Sequence, residues 1–394
     1  MNEIVYLIFL LSGILKVFLI YFNIPTGIDI TLLSAFFLLL LMIRNLNLLN
    51  FKLRVNRFMT YSSSILFIIF FLILFSLFYT SSQYYVYVKT FGFIAILIAF
   101  LFPFFIKSFS IFRFFRLYII LITFLSIVFI PIFLISYELF MREYVAMQSN
   151  IGLIIYQSYL SMGYFMGLAI ILVAFSSIFQ KKHQILIASI LFISLVITGA
   201  RGPIVSVVII ILFFFAHNKF RLKKPKFKTV IIISFMSIFI IGYTLYAFDI
   251  TEVLSRTMDR LFALSNVTTD SASNDRLERF SFVFDSMNMT NIVFGHGFGS
   301  FGFEQSGIDR RSYPHNILLE FLFELGLFGL ILYLFYIGFI VKKLFLQNDF
   351  LLWAIFIYLF LNSMKSLSIV DSRLMFGFFA IILMSKKNYL KSYK

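Results

Sequence analysis

Residues 315–341 read HNILLEFLFELGLFGLILYLFYIGFIV, and after the opening His315-Asn316 the only charges in the run are Glu320 and Glu324. About 20 mostly apolar residues carry a helix across the hydrocarbon core, so this stretch predicts a membrane crossing. Similar runs lie near 4–22, 28–43, 61–79, 88–106, 117–136, 151–179, 184–198, 203–216, 229–248, 350–364 and 369–385. In lipid each backbone N–H and C=O must be bonded within the segment, which makes these runs helices. The expected fold is all-α, a polytopic transmembrane bundle of about twelve helices. Residues 4–22 are expected to stay as a helix, because Met1-Asn2-Glu3 offers no basic stretch of a signal peptide.

Composition agrees. Apolar residues make up 61% of the 394 and charged residues 13%, too few charges for water to be the main solvent. The net charge of +16 raises the question of a nucleic-acid partner. The basic residues answer it by sitting in short loops between apolar runs. One set comprises Arg44, Lys52, Arg54 and Arg57, then Lys107, Arg113 and Arg116, then Lys181 and Lys182, then Lys219 to Lys228. Lys342 and Lys343 and the terminal Lys386, Lys387, Lys391 and Lys394 complete it. Basic loops stay on the cytoplasmic side, which places both termini inside a cytoplasmic (inner) membrane and predicts no nucleic-acid partner. With no cysteine and four histidines, disulfides, thiolate chemistry and a His-rich metal site are not expected.

The polar exception is residues 249–312, which carry Asp249, Glu252, Asp259, Asp270, Asp275, Glu278, Asp285, Glu304 and Asp309, nine of the 17 carboxylates. Three segments follow: helices 1–9 in 1–248, a large extracytoplasmic loop in 249–312, and helices 10–12 in 313–394. The loop is itself expected to be helical. Leu254, Met258, Leu261 and Phe262 have helical spacing, and Leu277, Phe280, Phe284 and Met287 repeat it after Ser273-Asn274-Asp275.

Residues 184–216 must cross twice in little length, broken at Thr198-Gly199-Ala200-Arg201-Gly202-Pro203. Arg201 then sits just below the surface, either as a site residue or as an arginine snorkelling to lipid phosphate. The loop uses arginine and no lysine at Arg256, Arg260, Arg276, Arg279, Arg310 and Arg311. A guanidinium fork suits phosphate, although solvated pairing with Asp275 or Glu278 is the plainer reading for any one of them. Phe294-Gly295-His296-Gly297-Phe298-Gly299-Ser300-Phe301-Gly302 lacks the βαβ setting of a dinucleotide site and reads better as a tight turn.

Ser312-Tyr313-Pro314-His315-Asn316 opens the tenth crossing, with Ser312 the expected cap and Pro314 in the first turn. Glu320 and Glu324 follow on one side, about 7.5 and 13.5 Å along the axis at 1.5 Å per residue. His315 near acids at a polar mouth is a natural general base. The competing reading is an interfacial histidine with two carboxylates bonded inside the bundle.

In these places the chain resembles the O-antigen polymerase and O-antigen ligase superfamily. The resemblance lies in Thr198 to Gly202, in Asp275-Arg276 followed by the 294–299 glycine run, and in Pro314-His315-Asn316-Ile317-Leu318-Leu319-Glu320 continuing through Phe323-Glu324-Leu325-Gly326-Leu327-Phe328-Gly329. It implies a GT-C-like membrane glycosyltransferase acting on undecaprenyl-diphosphate-linked glycan, as donor and as acceptor. On that implication Arg201 and Arg276, or its neighbour Arg279, hold the donor diphosphate and His315 activates an acceptor hydroxyl. Asn316, Glu320 and Glu324 support it, no metal or other cofactor takes part, and a chain-length regulator protein is a partner. Many relatives carry Trp soon after the loop arginine; here Phe280 and Phe282 are the nearest aromatics, which leaves Arg276 and Arg279 both open. A polymerase is expected, with a ligase that moves finished glycan to lipid A core as the alternative within the family. A flippase for lipid-linked sugars is the alternative of another class.

Overall fold

A computed structural model describes residues 2–22, 24, 29–48, 56–146, 150–216, 271–289 and 291–385. Among them the chain is helical, without a strand: α1 (Asn2–Tyr21), α2 (Ile30–Leu48), α3 (Arg57–Ser76), α4 (Tyr85–Phe105), α5 (Ile111–Ala146), α6 (Asn150–Phe175), α7 (Lys181–Thr198) and α8 (Arg201–Ala216). Then come α9 (Ser271–Ser286), α10 (Asn291–Phe294), α11 (Phe301–Ser306), α12 (Ile317–Gln347), α13 (Phe350–Ser363), a 3-10 turn (Ile369–Ser372) and α14 (Arg373–Met384). Six of the described helices are long and apolar enough to cross a membrane, and four shorter ones are also apolar. The protein is a polytopic helical membrane protein. Eleven of the expected crossings coincide with helices; the run 229–248 and the loop helix around Leu254–Phe262 lie outside the described residues.

The chain divides into two compact units. One comprises residues 1–13, 26–111 and 271–394. Water does not drive helices together inside lipid, so close van der Waals packing and buried hydrogen bonds must. Small residues allow it here. A Cβ at Gly377 of α14 would lie 2.6 Å from the Tyr6 hydroxyl of α1, and one at Gly92 of α4 would lie 2.7 Å from Val370. The Tyr6 hydroxyl donates to the Ala99 carbonyl of α4 at 2.6 Å, tying α1, α4 and α14 together. Aromatic rings fill the rest: Tyr336 of α12 stacks on Phe376 with centroids 5.4 Å apart.

Helix α12 corrects the expectation of one continuous tenth crossing. Gly326 has φ 67 and ψ −168, a backbone region open essentially to glycine alone, so the helix breaks there. Glu320 and Glu324 therefore sit on a short segment before the break, one turn apart, instead of deep in a straight span.

The second unit comprises residues 14–25 and 112–270. Helix α6 packs against α7 and α8, and the Tyr118 hydroxyl of α5 donates to the Phe165 carbonyl at 3.0 Å. At 1.5 Å per residue α7 and α8 are about 27 and 24 Å long, the two short passes that the 184–216 stretch implies. Gly199 ends α7 at φ 62, a left-handed cap that lets α8 restart two residues later.

Candidate active site

Helix α9 aims the loop arginines. Its packed face carries Val283, fully buried against Phe301 and Phe323, with Phe282 and Met287 beside it. Arg276, Arg279 and Phe280 share that face, being seven, four and three residues before Val283. The expected apolar stripe is corrected by about a quarter turn, since Leu277 and Phe284 are 55% and 60% exposed. The face that packs takes the arginines inward with it.

The two arginines then part ways. Arg279 Nε pairs with Asp275 Oδ2 at 3.0 Å, and its Nη1 donates to Ser312 Oγ at 2.7 Å and to the Tyr313 carbonyl at 3.2 Å. It is a strut that holds the chain leading into α12. Arg276 has no hydrogen-bond or ion-pair partner among the described residues. Its charge nonetheless reaches the His315 ring.

His315 precedes α12. Its φ of 60 puts it in the left-handed region, uncommon for a residue with a Cβ and frequent where function constrains the backbone. The expected cap at Ser312 is corrected: Asn316 caps α12, its side chain accepting from Leu318 N at 2.9 Å and Leu319 N at 3.2 Å. An Asn cap binds the first free N–H groups of the helix from an extended backbone, so Pro314 and His315 stay outside the helix. Ser312 instead receives Arg279, and the Tyr313 ring meets the His315 ring edge-on at 4.5 Å.

Burial, then the charges of Arg279 and Arg276, push the His315 imidazole down to about 4, against the weaker pull of Asp275 and of a hydrogen bond to the Ser366 backbone. At neutral pH the ring is therefore uncharged.

Glu320 and Glu324 do something else. Both are fully buried, and the Lys89 ammonium of α4 donates to Glu320 Oε1 at 2.5 Å and to Glu324 Oε1 and Oε2 at 2.6 and 2.7 Å. Lys89 also lies 4.9 Å from the centroid of the Phe298 ring. Glu320 further accepts from Ser368 Oγ at 2.7 Å and Ile369 N at 2.8 Å. A buried ion pair is sustained only where hydrogen bonds satisfy its remaining lone pairs, as they do here. The sequence reading missed Lys89. Its signal was a lysine one residue inside the apolar run 88–106, one turn into α4, which needs an acid of equal depth.

The glycine run is the tight turn that the sequence favours, and it plugs the break in α12. His296 N donates to the Phe323 carbonyl at 2.9 Å and Gly297 N to the Glu324 carbonyl at 3.0 Å, satisfying acceptors that the break frees. A Cβ at Gly295 would collide with the Glu324 carbonyl, and one at Gly297 would lie 2.5 Å from Thr80 Cα. The His296 ring stacks on Phe323 with centroids 4.3 Å apart. Two further anchors were also not legible in advance. Arg311 clasps Asp371 at 2.8 and 2.7 Å, and Asp309 accepts from Ser82 Oγ, Gln83 N and Tyr84 N at 2.7, 2.8 and 2.6 Å.

Arg201 belongs to the other unit, at the first position of α8. The turn that carries it lies against α6, where a Cβ at Gly163 would come 2.5 Å from Ala200 Cβ and 3.3 Å from Thr198 Oγ1.

Part of these features falls within one matched stretch of sequence. Residues 186–334 match the O-antigen ligase family, a stretch that holds Arg201, α9, the glycine turn and His315. That match agrees with the resemblance to the O-antigen polymerase and ligase superfamily read from the motifs. No curated protein matches the chain.

Proposed function

We propose, taking the O-antigen ligase family domain at residues 186–334 as premise, that the protein polymerises polyprenyl-diphosphate-linked oligosaccharide repeat units into O-antigen or capsular polysaccharide. The reaction takes place at the outer face of the cytoplasmic membrane. The observation that carries the proposal is a neutral His315, held at a positive φ, whose ring feels the charge of Arg276, an arginine with no hydrogen-bond or ion-pair partner among the described residues.

The acceptor hydroxyl gives its proton to the unprotonated ring nitrogen of the neutral His315 as its oxygen bonds the donor's anomeric carbon. The bond from that carbon to the diphosphate oxygen breaks, and the lipid diphosphate leaves with the electron pair. A correctly placed base contributes about 10²–10⁴-fold. Arg276 holds the diphosphate, each charge-assisted hydrogen bond contributing roughly 1.5–3 kcal/mol. Arg279, already occupied, is assigned to holding the loop. Arg201 enters by its motif, as a second diphosphate ligand. The leaving group needs no proton, so neither a metal nor a second catalytic acid is part of the proposal.

Donor binding also prepares the base. A bound diphosphate offsets the guanidinium charges that depress His315 and raises its basicity when substrate is present. Both substrates are proposed to be undecaprenyl-diphosphate glycans, and a chain-length regulator is the proposed protein partner.

The second reading is the ligase that gives the matched family its description. Deletion of the gene separates the two. A polymerase mutant keeps single-repeat product and loses long chains; long lipid-linked chains left unattached would establish the ligase.

A further inference from the structure

We propose that the loop segment around α10 is seated in the lipid surface at the loop end of α3, with Met289, Ile292, Val293 and Phe294 against acyl chains of the bilayer instead of water.

The segment is chemically unlike the loop around it. Residues 249–312 carry nine carboxylates and six arginines, yet residues 286–303 hold no Asp, Glu, Lys or Arg. Their one ionisable side chain, His296, is stacked on Phe323. Met289 is 91% exposed and Phe294 49%, with Ile292 and Val293 exposed between them. A contiguous exposed apolar patch of this kind marks an interaction or membrane surface.

Its depth is set by α3. That helix, Arg57–Ser76, is about 30 Å long at 1.5 Å per residue, the thickness of the hydrocarbon core, so its last turn lies at the lipid surface. Phe298 N donates to Ser76 Oγ at 3.1 Å, the Tyr79 hydroxyl to the Phe294 carbonyl at 2.8 Å, and Thr80 Oγ1 to the Phe298 carbonyl at 3.0 Å. These bonds put α10 level with the end of α3. The Tyr79 ring meets Phe75 at 6.0 Å, and Phe75 and Phe78 are both exposed. Helix α10 also lies against the break in α12, where a Cβ at Gly326 would collide with the Val293 carbonyl. Directly after that break Leu327 and Phe328 are exposed in an apolar span. The patch thus continues the lipid-facing sides of α3 and α12, all within one compact unit.

The backbone meets the demand that lipid makes. Irregular backbone at membrane depth is tolerated only where the protein itself satisfies its polar groups. Besides the bonds from α3 and its turn, Gly295 N donates to the Asn291 carbonyl at 2.7 Å, and His296 N and Gly297 N to carbonyls of α12. In a solvated loop water would serve these groups.

The test places a tryptophan in the patch. The single native tryptophan is removed by Trp353→Phe, and Phe294→Trp and Ile292→Trp are made separately in that background. Phe71→Trp, on the exposed side of α3, is the lipid reference, and Glu278→Trp, at an exposed position of α9, is the water reference. Each variant is placed as one copy per nanodisc in phosphatidylcholine brominated near the headgroup end of its acyl chains, with no substrate added. Thermal unfolding selects the variants that are folded, and two patch positions keep the test decisive if one is not. Bromolipid is expected to quench Phe294→Trp and Ile292→Trp at least about half as strongly as Phe71→Trp, with little quenching by aqueous iodide. Glu278→Trp is expected to show the reverse. Iodide quenching at the patch equal to that of Glu278→Trp, without bromolipid quenching, would overturn the proposal. Shielding from iodide without bromolipid quenching would also overturn it, since another part of the protein would then cover the patch.

Discussion

Arg276 and Arg279 share one face of α9 three residues apart, yet Arg279 is tied to Asp275, Ser312 and Tyr313 while Arg276 binds none of the described residues. Removing the strut disturbs the chain that enters α12; removing Arg276, which binds none of the described residues, takes away a charge that reaches His315. Arg279→Ala is therefore expected to lower the melting temperature and activity together. Arg276→Ala is expected to leave the melting temperature within error and lower kcat/KM by at least tenfold. Thermal unfolding and turnover of the two purified variants check the split, and equal loss of stability in both would contradict it.

Acid should find His315. Its folded-state pKa of about 4 lies below the ordinary value, so between about pH 6.5 and 4 the unfolded chain binds the proton more readily than the folded one. Stability contributed by the neutral ring is full above about pH 6.5 and is lost as pH falls toward 4. Melting temperature across that window is expected to fall more steeply in the wild type than in His315→Gln. Parallel curves would show that the ring does not titrate in this range.

The break in α12 depends on glycine. Gly326 combines φ 67 with a Cβ position that would collide with the Val293 carbonyl, whereas Gly307 has φ 69 and open space around it. Strained backbone of this kind costs of order 1–3 kcal/mol before any clash is counted. Gly326→Ala is expected to lower thermal stability clearly more than Gly307→Ala, and unfolding in detergent measures both. Equal effects would mean that the 293–297 turn does not lock the break.

Much of the helical layout was legible because hydropathy and chain length act locally: the short double pass before and after Arg201 follows from counting residues between basic loops. What escaped the reading depends on tertiary partners. Lys89 lies in sequence far from Glu320 and Glu324, and one residue inside a different apolar run, so no spacing rule joins them. The rotation of α9 is fixed by Phe301 and Phe323, which its own pattern does not contain. The different bonding of Arg276 and Arg279 depends on Ser312 and Tyr313, some 30 residues further along. His315 stood out by residue type, but its neutral state comes from burial and two arginines that only the fold brings close.

The central claim is that His315 is the base of a lipid-linked glycan transfer. The most direct measurement incubates the purified protein with polyprenyl-diphosphate-linked repeat units and follows chain length by electrophoresis. The wild type is expected to build a ladder of longer chains, and His315→Ala, equally well folded, is expected to build none. Ladder formation by His315→Ala at the wild-type rate would contradict the account.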